Sequence, residues 1–409
     1  MHVVIFEDSR WHALAPLSLS RPVFSLTSGM TSLLEKQIRH LKPARLTLWV
    51  RPEFESVCRE RIAPLIGVPT QVNTPLDDRP ALLIHGRLAP ATPFEIPAHE
   101  AVYAIDGTIL AAMTSRAGLG PADALGATER WLDLLRLPGM AAQGSLIESP
   151  IDLIYANERS LIDDFACLKA PSQEKKPGPY YFVNEAAVWL GRDVALSPGC
   201  VLDAARGPIA IGAGASVGAN AVIQGPCYIG PGATVAPVAN IRGGVTIGPV
   251  CKIGGEVSAS VFMGYSNKGH EGFVGHSYIG QWVNLGAGTT TSNMKNTYGP
   301  ITLRRGNTEI GPARGFLGAV IGDHCKTAIH TRLMGGSYIG FCSMLAGTTA
   351  VPRFIPSFAF WTDEGVEPYR FSKAIEVAQR VLARRKITWT AADEHIMDYA
   401  ARIAPTIEI

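Results

Sequence analysis

A layered α/β domain, then a parallel β-helix, then a short helical tail is the architecture this sequence predicts, and three observations predict it. Short apolar runs alternate with helical spacing over the first 170 or so residues, a six-residue repeat follows, and two amphipathic stretches close the chain. The alternation implies a sheet covered by helices. A hexapeptide repeat builds a parallel β-helix.

In the first part, "HVVIF" (His2–Phe6), "LTLWV" (Leu46–Val50) and "ALLIH" (Ala81–His85) have the length and composition of strands. "MTSLLEKQIRHL" and "EFESVCRERI" have helical spacing between them. "SPIDLIYANERSLIDDFACL" supplies a final helix with Ser149 or Asp152 as its cap. The Pro- and Lys-rich "APSQEKKPGPY", Ala170 to Tyr180, reads as a linker and sets the first domain at 1–172.

From Ile211 every sixth residue is aliphatic through Val217, Ile223, Ile229, Val235, Ile241, Ile247 and Ile253. A small residue follows each by four, among them Ala215, Cys227 and Cys251, and glycine often comes next after the aliphatic. Six residues make one flat side, three sides close a coil, and coils stack at strand spacing, so residues eighteen apart share an interior row. Cys200, Cys227, Cys251 and Cys325 fall at the small position and read as buried apolar side chains rather than reactive thiols. The helix is assigned to 173–357 and the helical tail to 358–409, with Thr390 capping the second tail helix and Glu394 in its first turn.

Bulk composition narrows the function. With 37 Lys+Arg against 35 Asp+Glu the net charge is +2, which supplies no field for nucleic acid or an anionic membrane. No membrane-length apolar run and no secretory layout is present, and seven cysteines without a CxxC pair suit a reducing compartment. A cytoplasmic protein with small-molecule partners is expected.

The six-count lapses between Ile253 and Ile279, which predicts a loop leaving one corner of the prism. Glu256, Lys268, His270, Glu271 and His276 gather there, after a long stretch in which Arg242 and Lys252 are the only charges. "NLGAGTTTSNMKN" follows with Asn284, Asn293 and Lys295. Loops on a rigid scaffold are where chemistry is usually placed.

The stretch "EVSASVFMGYSNKGHEGFVGHSYIGQWVNLGAGTTTSN", Glu256 to Asn293, resembles the acetyltransferase half of the bifunctional enzymes of UDP-N-acetylglucosamine synthesis. "LSLSRPV", "ESPIDLIYANERSLIDDF", "NMKNTYG" and "RFIPSF" are similar to a divergent branch with a shortened nucleotidyltransferase region. The resemblance implies a nucleotidyltransferase-like α/β domain, a left-handed β-helix, a homotrimer, acetyl-CoA and an amino-sugar 1-phosphate. It also implies His270 as general base, Glu256 fourteen residues earlier as its orienting carboxylate, and the Ala287 N–H as oxyanion donor. Asn284 and Asn293 match substrate-contacting positions, although turn asparagines remain almost as good a reading. Phe273, Ser258 and Met294 depart from the family's tyrosine, lysine and tyrosine. Lys268, Arg242 or Lys295 would then replace the lost phosphate contact.

For the first domain the resemblance implies nucleotidyl transfer with Mg2+. The glycine-rich phosphate loop is absent from "VVIFEDSRWHALAPLSLSRPV", and His85, Gly86 and Arg87 stand where the metal aspartate is expected. Arg21 and Lys36 look like replacements, Asn157 matches a second metal contact, and Asp77 and Asp78 are ligands without a spacing argument. Arg384, Arg385 and Lys386 read as a solvated basic helix end or as contacts to a CoA phosphate. Two other readings stay open: a zinc enzyme of the carbonic-anhydrase kind using His270/His276 and His324/His330, and a non-catalytic scaffold.

Overall fold

The computed structural model describes residues 1–89, 99–105, 107–126, 136–141, 144–169 and 178–408. His2–Phe6 lies between Arg45–Trp49 and Ala81–His85, all parallel, with Val4 opposite both Thr47 and Leu83. These are the three strands expected from sequence. Thr70–Val72 extends the sheet on one side, and antiparallel Thr108–Thr114 and Ala101–Ile105 extend it on the other. Leu33–Leu41 forms the expected helix, started by Ser32, whose N–H donates to Glu35 Oε2 at 2.8 Å. "EFESVCRERI" does not form one helix. It breaks into short helical pieces with a π turn at Cys58–Ile62, and Pro64 then denies the next turn a backbone donor.

Most of the linker lies outside the described residues. Beyond it the chain is a left-handed parallel β-helix. One face holds nine strands, from Val188–Leu190 to Phe354–Ile355. The inward row Ile211, Ile229, Ile247, Phe262, Ile279, Ile321, Ile339 and Ile355 pairs in register and is wholly buried. At about 1.5–3 kcal/mol for each buried side chain, rows of this kind hold the prism together. Cys200, Cys227, Cys251 and Cys325 are buried in the same interior, which pushes their thiols above the ordinary range.

The break in the count has a different cause from the one expected. No loop leaves the wall at Tyr265–Ser277: Glu256–Ser258, Val261–Phe262, Asn267–Lys268 and Phe273–Gly275 are wall strands like their neighbours. The coils there are shortened. Thr246 pairs with Val261 and Lys252 with Asn267, fifteen residues on instead of eighteen. The real excursion comes later, as the antiparallel hairpin Ile301–Arg305 with Thr308–Arg314.

Along one corner, Val250, Tyr265, Trp282, His324, Cys342 and Phe358 all adopt positive φ. Each donates its N–H to the preceding coil, as Tyr265 does to Pro249 O and His324 to Gln281 O, both at 2.9 Å. Tyr265 stacks on Trp282 at 4.3 Å, and Trp282 on His324 at 6.2 Å.

The tail begins later than the expected 358. Ala359–Thr362 still pairs with Met344–Leu345 on the prism, and helices follow at Phe371–Ala383 and Ala391–Ile407. Thr390 does cap the second, but its partner is Asp393, which accepts from the Thr390 N–H at 2.9 Å, rather than Glu394. This helix closes the molecule. Ala392 and Tyr399 sit in the first domain's core, while Glu408 accepts from Tyr338 Oη at 2.9 Å and from the Ser357 N–H at 2.7 Å on the β-helix. Among the described residues no helix is long and apolar enough to cross a membrane.

Candidate active site

A cavity of about 600 Å³ lies against the shortened coils, roofed by the end of the first tail helix. His270, Asn284 and Ala287 all line it, so three of the residues singled out in the sequence meet in one place. The imidazole of His270 is exposed, at the corner between Asn267–Lys268 and Phe273–Gly275. The Ala287 carbonyl accepts from the His330 N–H at 2.6 Å, whereas its own N–H has no acceptor among the described residues. A backbone donor left open beside an imidazole is what a developing oxyanion requires.

Sequence reasoning left Lys252, Tyr265 and Trp282 out of this site, although they line it. It treated Arg384 and Arg385 chiefly as a solvated helix end. In fact both line the cavity, and Arg385 donates to Asn267 Oδ1 at 2.8 Å, whose amide in turn donates to Asn284 Oδ1 at 3.3 Å. No carboxylate belongs to the described lining, so Lys252, Arg384 and Arg385 give the cavity a positive potential suited to phosphate.

The remaining residues expected to serve acetyl transfer stand elsewhere. Glu256 makes an ion pair with Arg242 at 3.2 Å, and among the described residues no hydrogen bond joins it to His270. In register beside Glu256 is Phe273, one coil on. Phe273 and Asn293 close over Gly275, where a Cβ would lie 2.5 Å from the ring and 2.7 Å from the amide. Asn293 is bonded to His276 Nδ1 at 3.0 Å, and His276 stacks on Phe316. Burial lowers the His276 pKa. Lys295 lies in the turn that leads to the hairpin, where its carbonyl accepts from Tyr298. Lys268 is not a phosphate contact: it is buried, its ammonium donates to Gly254 O at 3.0 Å and His270 O at 2.8 Å, and burial lowers its pKa to about 8. Within the single chain no group of three or more His, Cys, Asp or Glu side chains that could hold a metal occurs among the described residues.

In the first domain the nucleotide expectations meet internal partners. Arg21 pairs with Asp323 of the β-helix, and Lys36 and Arg39 both pair with Asp164. Asn157 is fully buried: its Oδ1 accepts from the Gly29 N–H at 2.6 Å and the Thr246 hydroxyl at 3.0 Å, and its Nδ2 donates to Gly244 O at 2.9 Å. Lys36 and Asn157 thus fasten the structure instead of facing a crevice, whereas Arg21, held by Asp323, also borders a second cavity. At the carboxyl ends of the central strands, Arg87 is fully buried against Asp8, at 2.8 Å, and Glu148, at 3.0 Å. Arg51 is held by Glu7 and donates to Tyr399 of the tail at 3.1 Å. His85 and Arg87 hold the Asp8 carboxyl well below the usual carboxylate range against its burial. Asp77, also weighed as a ligand, is paired with Arg45 and Arg79. Glu7, Asp8, Asp77 and Glu148 do not fit Mg2+, because arginine already neutralises them, and Asp78 stands exposed with no ion pair among the described residues.

A mixed α/β domain docked on a hexapeptide β-helix, with an exposed imidazole, an open backbone donor and a basic groove, is the arrangement to set beside known proteins. Residues 3–173 match the family model described as sugar nucleotidyl transferase. The bifunctional protein GlmU of Methanococcus vannielii is 36% identical over 111 residues, 27% of this chain and 27% of that protein. Its counterpart in Methanocaldococcus jannaschii is 33% identical over 105 residues, 26% of each. A bifunctional sugar-1-phosphate nucleotidylyltransferase/acetyltransferase of Sulfurisphaera tokodaii is 36% identical over 85 residues, 21% of each. The chain thus spans about a quarter of the length of these relatives.

Proposed function

We propose that this chain is an acetyl-CoA-dependent N-acetyltransferase acting on an amino-sugar 1-phosphate. The observation that carries the reading is the meeting of His270, the open Ala287 N–H and the basic side chains Lys252, Arg384 and Arg385 around one cavity. His270 takes the proton from the sugar ammonium, and the freed amine attacks the thioester carbonyl. A C–N bond forms, the oxyanion is held at the Ala287 N–H, and collapse breaks the C–S bond while the surplus proton of the attacking nitrogen passes to the departing sulfur, releasing CoA as its thiol. The basic groups bind the CoA phosphates. Glu256 and Arg242 stand on the adjoining wall as an ion pair, so a sugar phosphate reaching Arg242 displaces Glu256.

The protein works as a cytoplasmic homotrimer in this reading, with the exposed wall of Arg242 and Glu256 turned toward the next copy. The match of residues 3–173 and the relatives' names support a second, sugar-1-phosphate nucleotidyl transfer activity in the first domain, whose carboxylates Glu7 and Asp8 are held by Arg51 and Arg87. The test is to incubate the protein with acetyl-CoA and a panel of amino-sugar 1-phosphates and nucleoside triphosphates, reading free CoA and pyrophosphate separately. Amine-dependent CoA release is expected, and sugar-1-phosphate-dependent pyrophosphate release reports the second activity. Failure of every amino sugar to release CoA removes the acetyltransferase reading.

A further inference from the structure

Along one inner row of the β-helix, Val217, Val235 and Ile253 are followed in register by Lys268, and Leu285 is followed by Thr327 and Leu345. Lys268 and Thr327 are thus polar side chains buried in an otherwise apolar row. An ammonium or a hydroxyl at such a position costs free energy that an aliphatic side chain would not. Departures of this kind concentrate at functional sites. Their outward neighbours Asn267 and Lys326 line the cavity of His270, so both stand on the inner side of its wall.

Each of them holds a backbone turn from within. Lys268 Nζ donates to His270 O at 2.8 Å and to Gly254 O at 3.0 Å, which ties the corner carrying the imidazole to the preceding coil through charge-assisted bonds. The seat is close, since a Cβ on Gly255 would lie 2.7 Å from that ammonium. Thr327 Oγ1 accepts from the Gly286 N–H at 2.9 Å and is bonded to the Thr289 hydroxyl at 2.8 Å. Gly286 and Thr289 are the two ends of the turn that presents the Ala287 N–H, a turn closed by the Thr289 N–H donating to Gly286 O at 3.1 Å. The Gly288 N–H donates to Glu271 O at 3.2 Å and so joins the two turns to each other. Base and oxyanion donor are therefore spaced by bonds made inside the prism.

We propose that Lys268 and Thr327 are positioning residues for acetyl transfer, Lys268 fixing the corner of His270 and Thr327 the turn of Ala287. The inference rests on the acetyltransferase reading of this cavity. Neither side chain reaches substrate, and each acts through the backbone of a group that does. Displacement of a reacting group by about 1 Å costs about 100-fold in rate, so bonds of ordinary strength at these two points control turnover.

The test compares Lys268→Met, Thr327→Val and Thr327→Ser in the full chain. The first two restore an unbroken apolar row, so at pH 7 they should resist urea at least as well as the parent. Their kcat for acetyl transfer should nevertheless fall about 10–100-fold, with the KM for acetyl-CoA within about twofold of the parent's. Thr327→Ser keeps the hydroxyl and should stay within about threefold of parental kcat. Hydrogen exchange read by mass spectrometry should quicken over residues 269–272 in Lys268→Met and over 286–289 in Thr327→Val. Parental kcat in either apolar variant overturns that residue's part of the proposal. A loss shared equally by Thr327→Ser, a change in KM alone, or a loss that tracks unfolding overturns it as well. If the parent transfers acetyl to no amine, the acetyltransferase reading fails separately, and exchange decides the rest: unchanged rates at both turns overturn the bracing, whereas faster rates sustain it.

Discussion

Asn157→Leu is the substitution that best separates a fastening role from a ligand-binding one. Leucine has the same branching and number of side-chain heavy atoms as asparagine and favours helix, so the change removes hydrogen bonds without opening a cavity. The Thr246 hydroxyl keeps its bond to Gly29 O at 2.8 Å. Two groups lose their partners: the Gly29 N–H and the Gly244 carbonyl, both buried. At about 1–3 kcal/mol for each orphaned group, the docking of the first domain on the β-helix weakens by about 2–6 kcal/mol. Urea unfolding followed by tryptophan fluorescence and by circular dichroism reads this. The two signals, coincident in the parent, separate as the first domain leaves before the prism. Unchanged, coincident transitions refute the reasoning, and so does a variant of full stability that has lost a nucleotide affinity present in the parent.

Other outcomes follow from the same geometry. His270→Ala lowers acetyl transfer by about 10²–10⁴-fold while circular dichroism stays that of the parent, and unchanged turnover removes His270 as the base. Arg384→Ala and Arg385→Ala each raise the KM for acetyl-CoA about tenfold with little change in kcat, an effect that shrinks as salt is added; a fall in kcat alone contradicts the phosphate role. Lys268 has its folded pKa lowered to about 8 from 10.5, so between those values the unfolded chain binds more protons and stability rises with pH. Compared with Lys268→Met, the parent should therefore gain up to about 3 kcal/mol from pH 8 to 10.5, and parallel stability curves defeat this account. Arg87→Met leaves Asp8 buried without its guanidinium and costs about 3–5 kcal/mol in thermal or urea unfolding. Little loss would mean that Asp8 is free for other work.

Much of this was legible in the sequence. The aliphatic row from Ile211 to Ile253 and its small partners specify the prism because side-chain period and coil geometry leave no second arrangement that buries them. The interruption after Ile253 was legible only as an interruption. A count lapses equally when residues are inserted and when they are removed, and only the pairing of Lys252 with Asn267 distinguishes the two. Lys268 looked like surface chemistry because nothing in a linear pattern reports that an ammonium is capped by two carbonyls. The partners of Arg21, Lys36 and Asn157 lie 302, 128 and 89 positions away along the chain, at Asp323, Asp164 and Thr246, beyond any local motif. The tail's basic residues were visible, but their place over His270 depends on where the last coil delivers the helix.

A solenoid ordinarily gains or loses whole coils at little cost, since each coil touches only its neighbours. Here the first domain grips one coil at Thr246 and another at Asp323, and the last helix returns from Tyr338 and Ser357 to the same domain at Arg51. The chain is closed like a hasp. Removing eighteen residues between those grips would shift one hold against the other by a strand spacing of about 4.8 Å, too far for side chains to follow. Coil number between Thr246 and Asp323 is therefore a fixed dimension of this protein.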